Sequence, residues 1–197
     1  MSDSPRPAAL HDHAADNLRF IRTTMERAST FTAVPGIGTM LVGITALVAA
    51  WLGGGDSTTP RFLMIWLAEG MLAAIIGAVF IVRKASLTNV SLVSATGRRF
   101  ALAFLPPFAA GAMMTVLFYR HGWTGQLPSM WLLLYGTAVM SGGALSVRVV
   151  PFMGATIMAI GVAAAFLPFF SSTLFMGLGF GVVHLTFGFC IARYYGG

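Results

Sequence analysis

Charge is what this sequence has least of. Asp, Glu, Lys and Arg make up 9% of its 197 residues, against about 25% in an ordinary globular domain. A water-soluble chain of this size must cover its outside with polar groups, and there are too few here. A soluble enzyme, a disordered chain and a conventional nucleic-acid-binding domain are excluded together. Cysteine is nearly absent. Cys190 alone closes no internal disulfide and builds no thiolate metal site, so cysteine usage is silent about redox compartment. Also missing are the Gly-x-Ser-x-Gly elbow, the phosphate loop and the His-Glu-x-x-His pair. Basic runs interleaved with aromatics, which a nucleic-acid track needs, are missing as well, so no nucleic-acid partner is expected.

What is present is apolar length. Hydrophobic residues account for 57% of the chain, and mean hydropathy is +0.82. Stretches free of Asp, Glu, Lys and Arg run over 32–55, 62–82 (broken only by Glu69), 100–119, 121–147 and 149–192. A spanning helix needs about 20 apolar residues. The last stretch is long enough for two, with Pro168-Phe169-Phe170-Ser171-Ser172 as a break. The expected fold is all-α: a polytopic membrane bundle of six transmembrane helices over 34–53, 62–83, 100–119, 129–147, 151–168 and 172–193, arranged as three hairpins. An amphipathic arm over 1–30 precedes the transmembrane domain, 31–197. Runs this long and continuously apolar do not suit barrel strands, which are about 10 residues long and alternate in polarity.

The formal charge of +6 then reads as orientation. Arg6, Arg19, Arg22, Arg27, Arg83, Lys84, Arg98, Arg99, Arg148 and Arg193 fall on one side of six spans, and only Arg61 and Arg120 on the other. Basic residues collect on the cytoplasmic side, so both termini are expected in the cytoplasm. The first apolar run is of span length and follows about thirty polar-to-amphipathic residues, which reads as a retained anchor and not a cleaved signal. Trp51, Trp66, Trp123 and Trp131 all fall near the outer boundary, where interfacial anchors belong.

Within the arm, Leu18, Ile21, Met25 and Ala28 share one helical face, and Arg22 with Glu26 forms an i,i+4 pair. The segment reads first as a structural entry helix, on the lipid headgroups or equally on the cytoplasmic ends of the bundle, and second as a partner-binding or regulatory arm. His11, His13 and Asp16 have ligand chemistry but no supporting Cys or His cluster, and no metal site is expected. The run Asn17-Leu18-Arg19-Phe20-Ile21-Arg22, then Met25-Glu26-Arg27-Ala28, then Phe31-Thr32-Ala33-Val34-Pro35-Gly36 resembles the start of certain uncharacterised bacterial six-helix inner-membrane proteins. Trp131-Leu132-Leu133-Leu134-Tyr135-Gly136 and the final Ala192-Arg193-Tyr194-Tyr195-Gly196-Gly197 are similar to the same group. The resemblance implies a bacterial inner-membrane location and carries no activity.

The even-numbered spans share a spacing: Gly70 and Gly77 before Arg83, Gly136 and Gly143 before Arg148, Gly181 and Gly188 before Arg193. Seven residues is close to two turns, so each glycine pair shares a face and lets a neighbouring helix come close. The arginines anchor the cytoplasmic ends. Pro106-Pro107 inside the third span should kink it.

Ionisable groups inside a bilayer are costly and mark candidate sites. Glu69 is the one acid within a span, about 10 Å below the outer boundary, and His184 lies about 17 Å into the sixth span. If the glycine repeat holds, Tyr135 sits level with Glu69, and a Glu69–Tyr135–His184 cluster can carry protons or bind a cation. The plainer reading is that Glu69 is neutral and bonds a neighbour, while His184 donates to a carbonyl. Bis-histidine haem ligation needs a second intramembrane histidine at a compatible depth, and no cofactor is expected. Three functions are compatible with these residues: a non-enzymatic accessory, sensor or scaffold component; a small transporter or channel, proton-linked through Glu69 and His184; and, least favoured, a membrane enzyme. Expected partners are the lipid bilayer and a protein partner or second copy of the chain.

Overall fold

The computed structural model describes residues 16–21, 25, 31–54, 56–88, 91–167 and 171–195. Regular structure among them is helical, apart from one isolated bridge between Phe31 and Ser146. The chain divides into two units, Met1–Thr30 and Phe31–Gly197. In the first, residues 16–21 are helical, with Leu18, Phe20 and Ile21 exposed. His11, His13 and the Arg22–Glu26 pair lie outside the described residues, as does the Pro168-Phe169-Phe170 break.

The second unit contains α1 (Gly36–Gly53), α2 (Pro60–Leu87), α3 (Ala95–Arg120), α4 (Leu127–Gly143), α5 (Val149–Phe166) and α6, which runs from Ser172 to Tyr194 through a π-helical stretch, Gly177–Val182. Five of these, α1, α2, α3, α5 and α6, are long and apolar enough to cross a membrane. α4 is the short one at 17 residues, about 25 Å at 1.5 Å per residue.

Local chemistry explains where the helices depart from the apolar runs. α2 begins at Pro60 and not at 62, because Thr59 accepts from the Phe62 amide and proline fits the first turn. α3 begins at Ala95 and not at 100, capped by the Ser94 hydroxyl on the Gly97 amide. α2 also continues past Arg83 and Lys84 to Leu87, where cations suit the negative end of the helix dipole. α4 stops at Gly143, short of 147, because the next five residues make the turn into α5. α3 remains one helix through Pro106 and Pro107. Pro107 has no N–H to offer the carbonyl four residues back, Ala103. Ser141 Oγ on α4 reaches that carbonyl at 2.8 Å.

Two seams of small residues hold the bundle. Along α1 and α6, Gly43 lies against the Gly181 carbonyl and Leu185, and Gly188 against Met40 and the Gly36 carbonyl. Along α4 and α5, Gly136 lies against Met158 and the Gly154 carbonyl, and Gly143 against Val150 and Pro151. At all four glycines a Cβ would sit within 3.0 Å of its neighbours, too close for any other residue without a shift. α2 packs on α1 and α3 on α4, while α5 and α6 join the seams. Neighbours therefore run α2, α1, α6, α5, α4, α3, and the consecutive helices α2 and α3 do not pack along each other.

Gly70 and Gly77 depart from the expected pattern. A Cβ at either would meet nothing within 4 Å. They lie off the inward stripe of α2, which is Phe62, Trp66, Glu69 and Lys84. Two tryptophans also depart from it. Trp51 and Trp123 are exposed, as anchors should be, but Trp66 is buried and Trp131 is half-buried, donating to Thr115 Oγ1 at 2.8 Å.

The start of the second unit is strapped across one end of the bundle. The Phe31 amide donates to the Leu145 carbonyl at 2.7 Å, and Ser146 Oγ returns a bond to the Phe31 carbonyl at 2.6 Å. The Phe31 ring stacks on Phe100 at 4.3 Å. Lys84, also buried, donates to the Val34 carbonyl at 2.9 Å and to the Tyr195 carbonyl at 3.5 Å. The start of α1, the end of α2, the start of α3, the α4–α5 turn and the end of α6 thus meet here, and Arg83, Arg98, Arg99, Arg148 and Arg193 belong to these same segments. The opposite end carries Asp56, Arg61, Arg120 and His121, tied by Ser172 Oγ on Ser57 Oγ and by Thr173 Oγ1 on the Gly54 carbonyl.

Candidate functional site

The structure brings two of the three expected site residues together. Tyr135 on α4 and His184 on α6 meet with Oη and Nε2 2.9 Å apart. Their rings stack at 5.5 Å, and Phe180 packs on both. His184 is 1% exposed. Its Nδ1 lies 3.2 Å from the Gly179 carbonyl. A carbonyl only accepts, so Nδ1 carries the proton, and in the neutral ring Nε2 is left as the acceptor for the Tyr135 hydroxyl. The hydrogen bonds therefore run in one direction, from tyrosine to histidine to backbone. The π-helical stretch is what makes this available: its wider turn places a carbonyl five residues back under the imidazole. Such bulges often mark functional positions. Here the bulge also seats Phe180 between Trp66 and Tyr135.

Glu69 is held elsewhere. Its Oε1 accepts from Thr45 Oγ1 on α1 at 2.8 Å, and the residue is 8% exposed. Thr45 Oγ1 also lies 3.0 Å from the Val42 carbonyl behind it. The acid sits in the α1–α2 seam, and the Tyr135–His184 pair bridges α4 and α6. Nothing in the spacing of apolar residues announces Thr45. The available signal was that a lone acid in a span needs a donor, and α1 has only two hydroxyls within its helical bounds, Thr39 and Thr45.

Chemically, the interior closes on itself. Tyr135 donates to His184, His184 to Gly179, Thr45 to Glu69, Trp131 to Thr115, and Ser141 to the carbonyl opposite Pro107. One buried side-chain polar atom among the described residues has no partner, Trp66 Nε1, and it lies close to where a Gly53 side chain would begin. No group of three or more His, Cys, Asp or Glu among the described residues could hold a metal ion. In the loop after α1, Asp56 accepts from the Thr58 hydroxyl at 2.7 Å and the Thr58 amide at 2.8 Å. These bonds hold its carboxyl below the ordinary aspartate range, the hydroxyl contributing more than the amide.

A scan against protein-family models finds no match, and searches of the curated proteins and of the solved structures find none either.

Proposed function

We propose that this chain is a six-span, non-enzymatic membrane component, an accessory or scaffold subunit with both termini in the cytoplasm. The observation that carries the reading is a division of labour between surfaces. Among the described residues the buried polar side chains, Trp66 Nε1 apart, bond to one another or to backbone carbonyls, while α2 and α3 present long apolar faces to the outside. Met64, Leu67, Met71, Ile75, Val79 and Val82 on α2 are exposed, as are Leu102, Leu105, Met113 and Val116 on α3. In water such faces aggregate; in a bilayer they meet lipid or another helix. α4 supports membership of the bundle as a sixth crossing, since it packs along α5 and α3 although it is short. Helix ends alternate between the cationic end and the opposite end, which supports three hairpins, and the excess of arginine at one end supports a cytoplasmic assignment. The resemblance to bacterial inner-membrane proteins supports that membrane as the compartment.

The second reading, proton-linked transport, is favoured by Glu69, an acid buried in the apolar span of α2. Glu69→Gln and His184→Ala in reconstituted vesicles separate the two. An accessory subunit shows no flux in either the parent or the variants, and a defined protein travels with it through purification in mild detergent. Proton-coupled flux in the parent that both variants abolish overturns the accessory reading.

A further inference from the structure

The last turns of α2 form a site that the interior does not use. Ala78, Val79, Val82 and Leu87 line a shallow depression of about 550 Å³, open to the side, and Arg83 and Ser86 border it. Arg83 makes no ion pair or hydrogen bond among the described residues, although its neighbour Lys84 is fully engaged with the Val34 and Tyr195 carbonyls. The result is an apolar trough on an outward face, topped by a guanidinium and a hydroxyl.

The charge around it is one-sided. The second unit carries two acids, Asp56 and Glu69, and neither lies at this end; Arg83, Lys84, Arg98, Arg99, Arg148 and Arg193 do. A cluster of cations with no acidic side chain of its own unit beside it attracts anionic groups from the headgroup layer. A guanidinium binds a phosphate through two parallel N–H bonds. A hydroxyl nearby can donate a further one, and an apolar groove below suits a hydrocarbon chain.

We propose that the trough binds an anionic phospholipid, with one acyl chain along Ala78, Val79 and Val82 and the phosphate held by Arg83 and Ser86. The ligand is the lipid and not free phosphate, because most of the lining is apolar. The inference rests on membrane insertion but not on the accessory role. Failure to sediment with membranes removes both, while a flux result changes only the role.

The test uses the full chain in a neutral detergent, with phosphatidylglycerol or phosphatidylcholine of matched acyl chains added, read by native mass spectrometry. Phosphatidylglycerol should be retained preferentially. Arg83→Gln should weaken that retention about fivefold, the share expected of one cation at a lipid surface. Ala78→Phe, which fills the trough and leaves every charge in place, should weaken it as well. Arg120→Gln at the opposite end should leave it unchanged. Equal retention of the two lipids overturns the proposal, as does equal loss in Arg83→Gln and Arg120→Gln. Unaltered binding in Ala78→Phe, or full displacement by millimolar inorganic phosphate, overturns the role of the acyl chain and with it the site.

Discussion

Thr45 is a small residue with a large bearing on Glu69. Its hydroxyl supplies the one hydrogen bond to Glu69 among the described residues, so Thr45→Val should destabilise the protein by about 0.5–1.5 kcal/mol, the usual worth of an interhelical bond in a membrane. Glu69→Gln should cost less, because the amide oxygen still accepts. Thermal unfolding in detergent, followed by tryptophan emission, ranks the two, and the reverse order removes the bond from the account. Tyr135→Phe keeps the ring contacts and deletes the donor to His184, again about 0.6–1.7 kcal/mol. His184→Ala also leaves a hole between Tyr135 and Phe180, and should cost on the order of 3 kcal/mol. Asp56 is the residue whose effect depends on acidity. Its carboxyl ionises more readily in the fold than in the unfolded chain, so its contribution is present above the ordinary aspartate range and is lost as pH falls through the lowered value. As pH drops below the ordinary aspartate range of about 4, stability should fall less steeply in Asp56→Asn than in the parent.

Among the elements, the same residue type has opposite roles on different helices. Gly136 faces the Gly154 carbonyl at a distance a methyl group cannot share, while Gly77 faces nothing. Gly136→Ala should therefore lower the melting temperature. Gly77→Ala should raise it or leave it level, since alanine is favoured over glycine in a helix by about 1 kcal/mol. Similar losses at both positions contradict the two seams. The bond from Ser141 to Ala103 can be tested by a cycle. Ser141→Ala should cost about 1–3 kcal/mol while Pro107 leaves that carbonyl without its helical partner, and much less in a Pro107→Ala background, where the helix supplies its own donor. Helix positions were legible to within a few residues because long apolar runs leave little choice. Their ends were less so, because Thr59-Pro60 and Ser94 act through capping, which hydropathy does not register. The glycine spacing was legible on α4 and α6 and misleading on α2, because a spacing fixes which residues share a face but not which way the face points.

For the whole molecule, the membrane class followed from composition, since nine charged residues per hundred cannot clothe a soluble globule. The neighbour order α2, α1, α6, α5, α4, α3 was not readable. It joins the first long helix to the last, and such pairings leave no local mark in a sequence. The meeting of Tyr135 with His184 belongs to the same class, although the residues themselves stood out as polar groups in apolar runs. Glu69 stood out equally but is bonded to a neighbour on the adjacent helix instead. Orientation is the prediction that belongs at this scale. Single cysteines at Asp56 and His121, in a Cys190→Ser background, should react with an impermeant maleimide added to intact cells. Cysteines at Ser91 and Tyr195 should react only after lysis. Labelling of Ser91 and Tyr195 positions alone in intact cells reverses the assignment, and labelling of both sets breaks the six-crossing count.

The strap at Phe31 has a consequence for biogenesis. Its partners, Leu145 and Ser146, leave the ribosome more than a hundred residues after it, on the order of ten seconds at ordinary elongation rates. The seam between α1 and α6 waits longer still, until the final helix is made. Nascent chains halted before residue 144 should hold their early helices in the translocon's vicinity unlatched and open to proteolysis near Phe31, and chains released after Tyr195 should resist it. Assembly of this protein is therefore a closing step that translation schedules last.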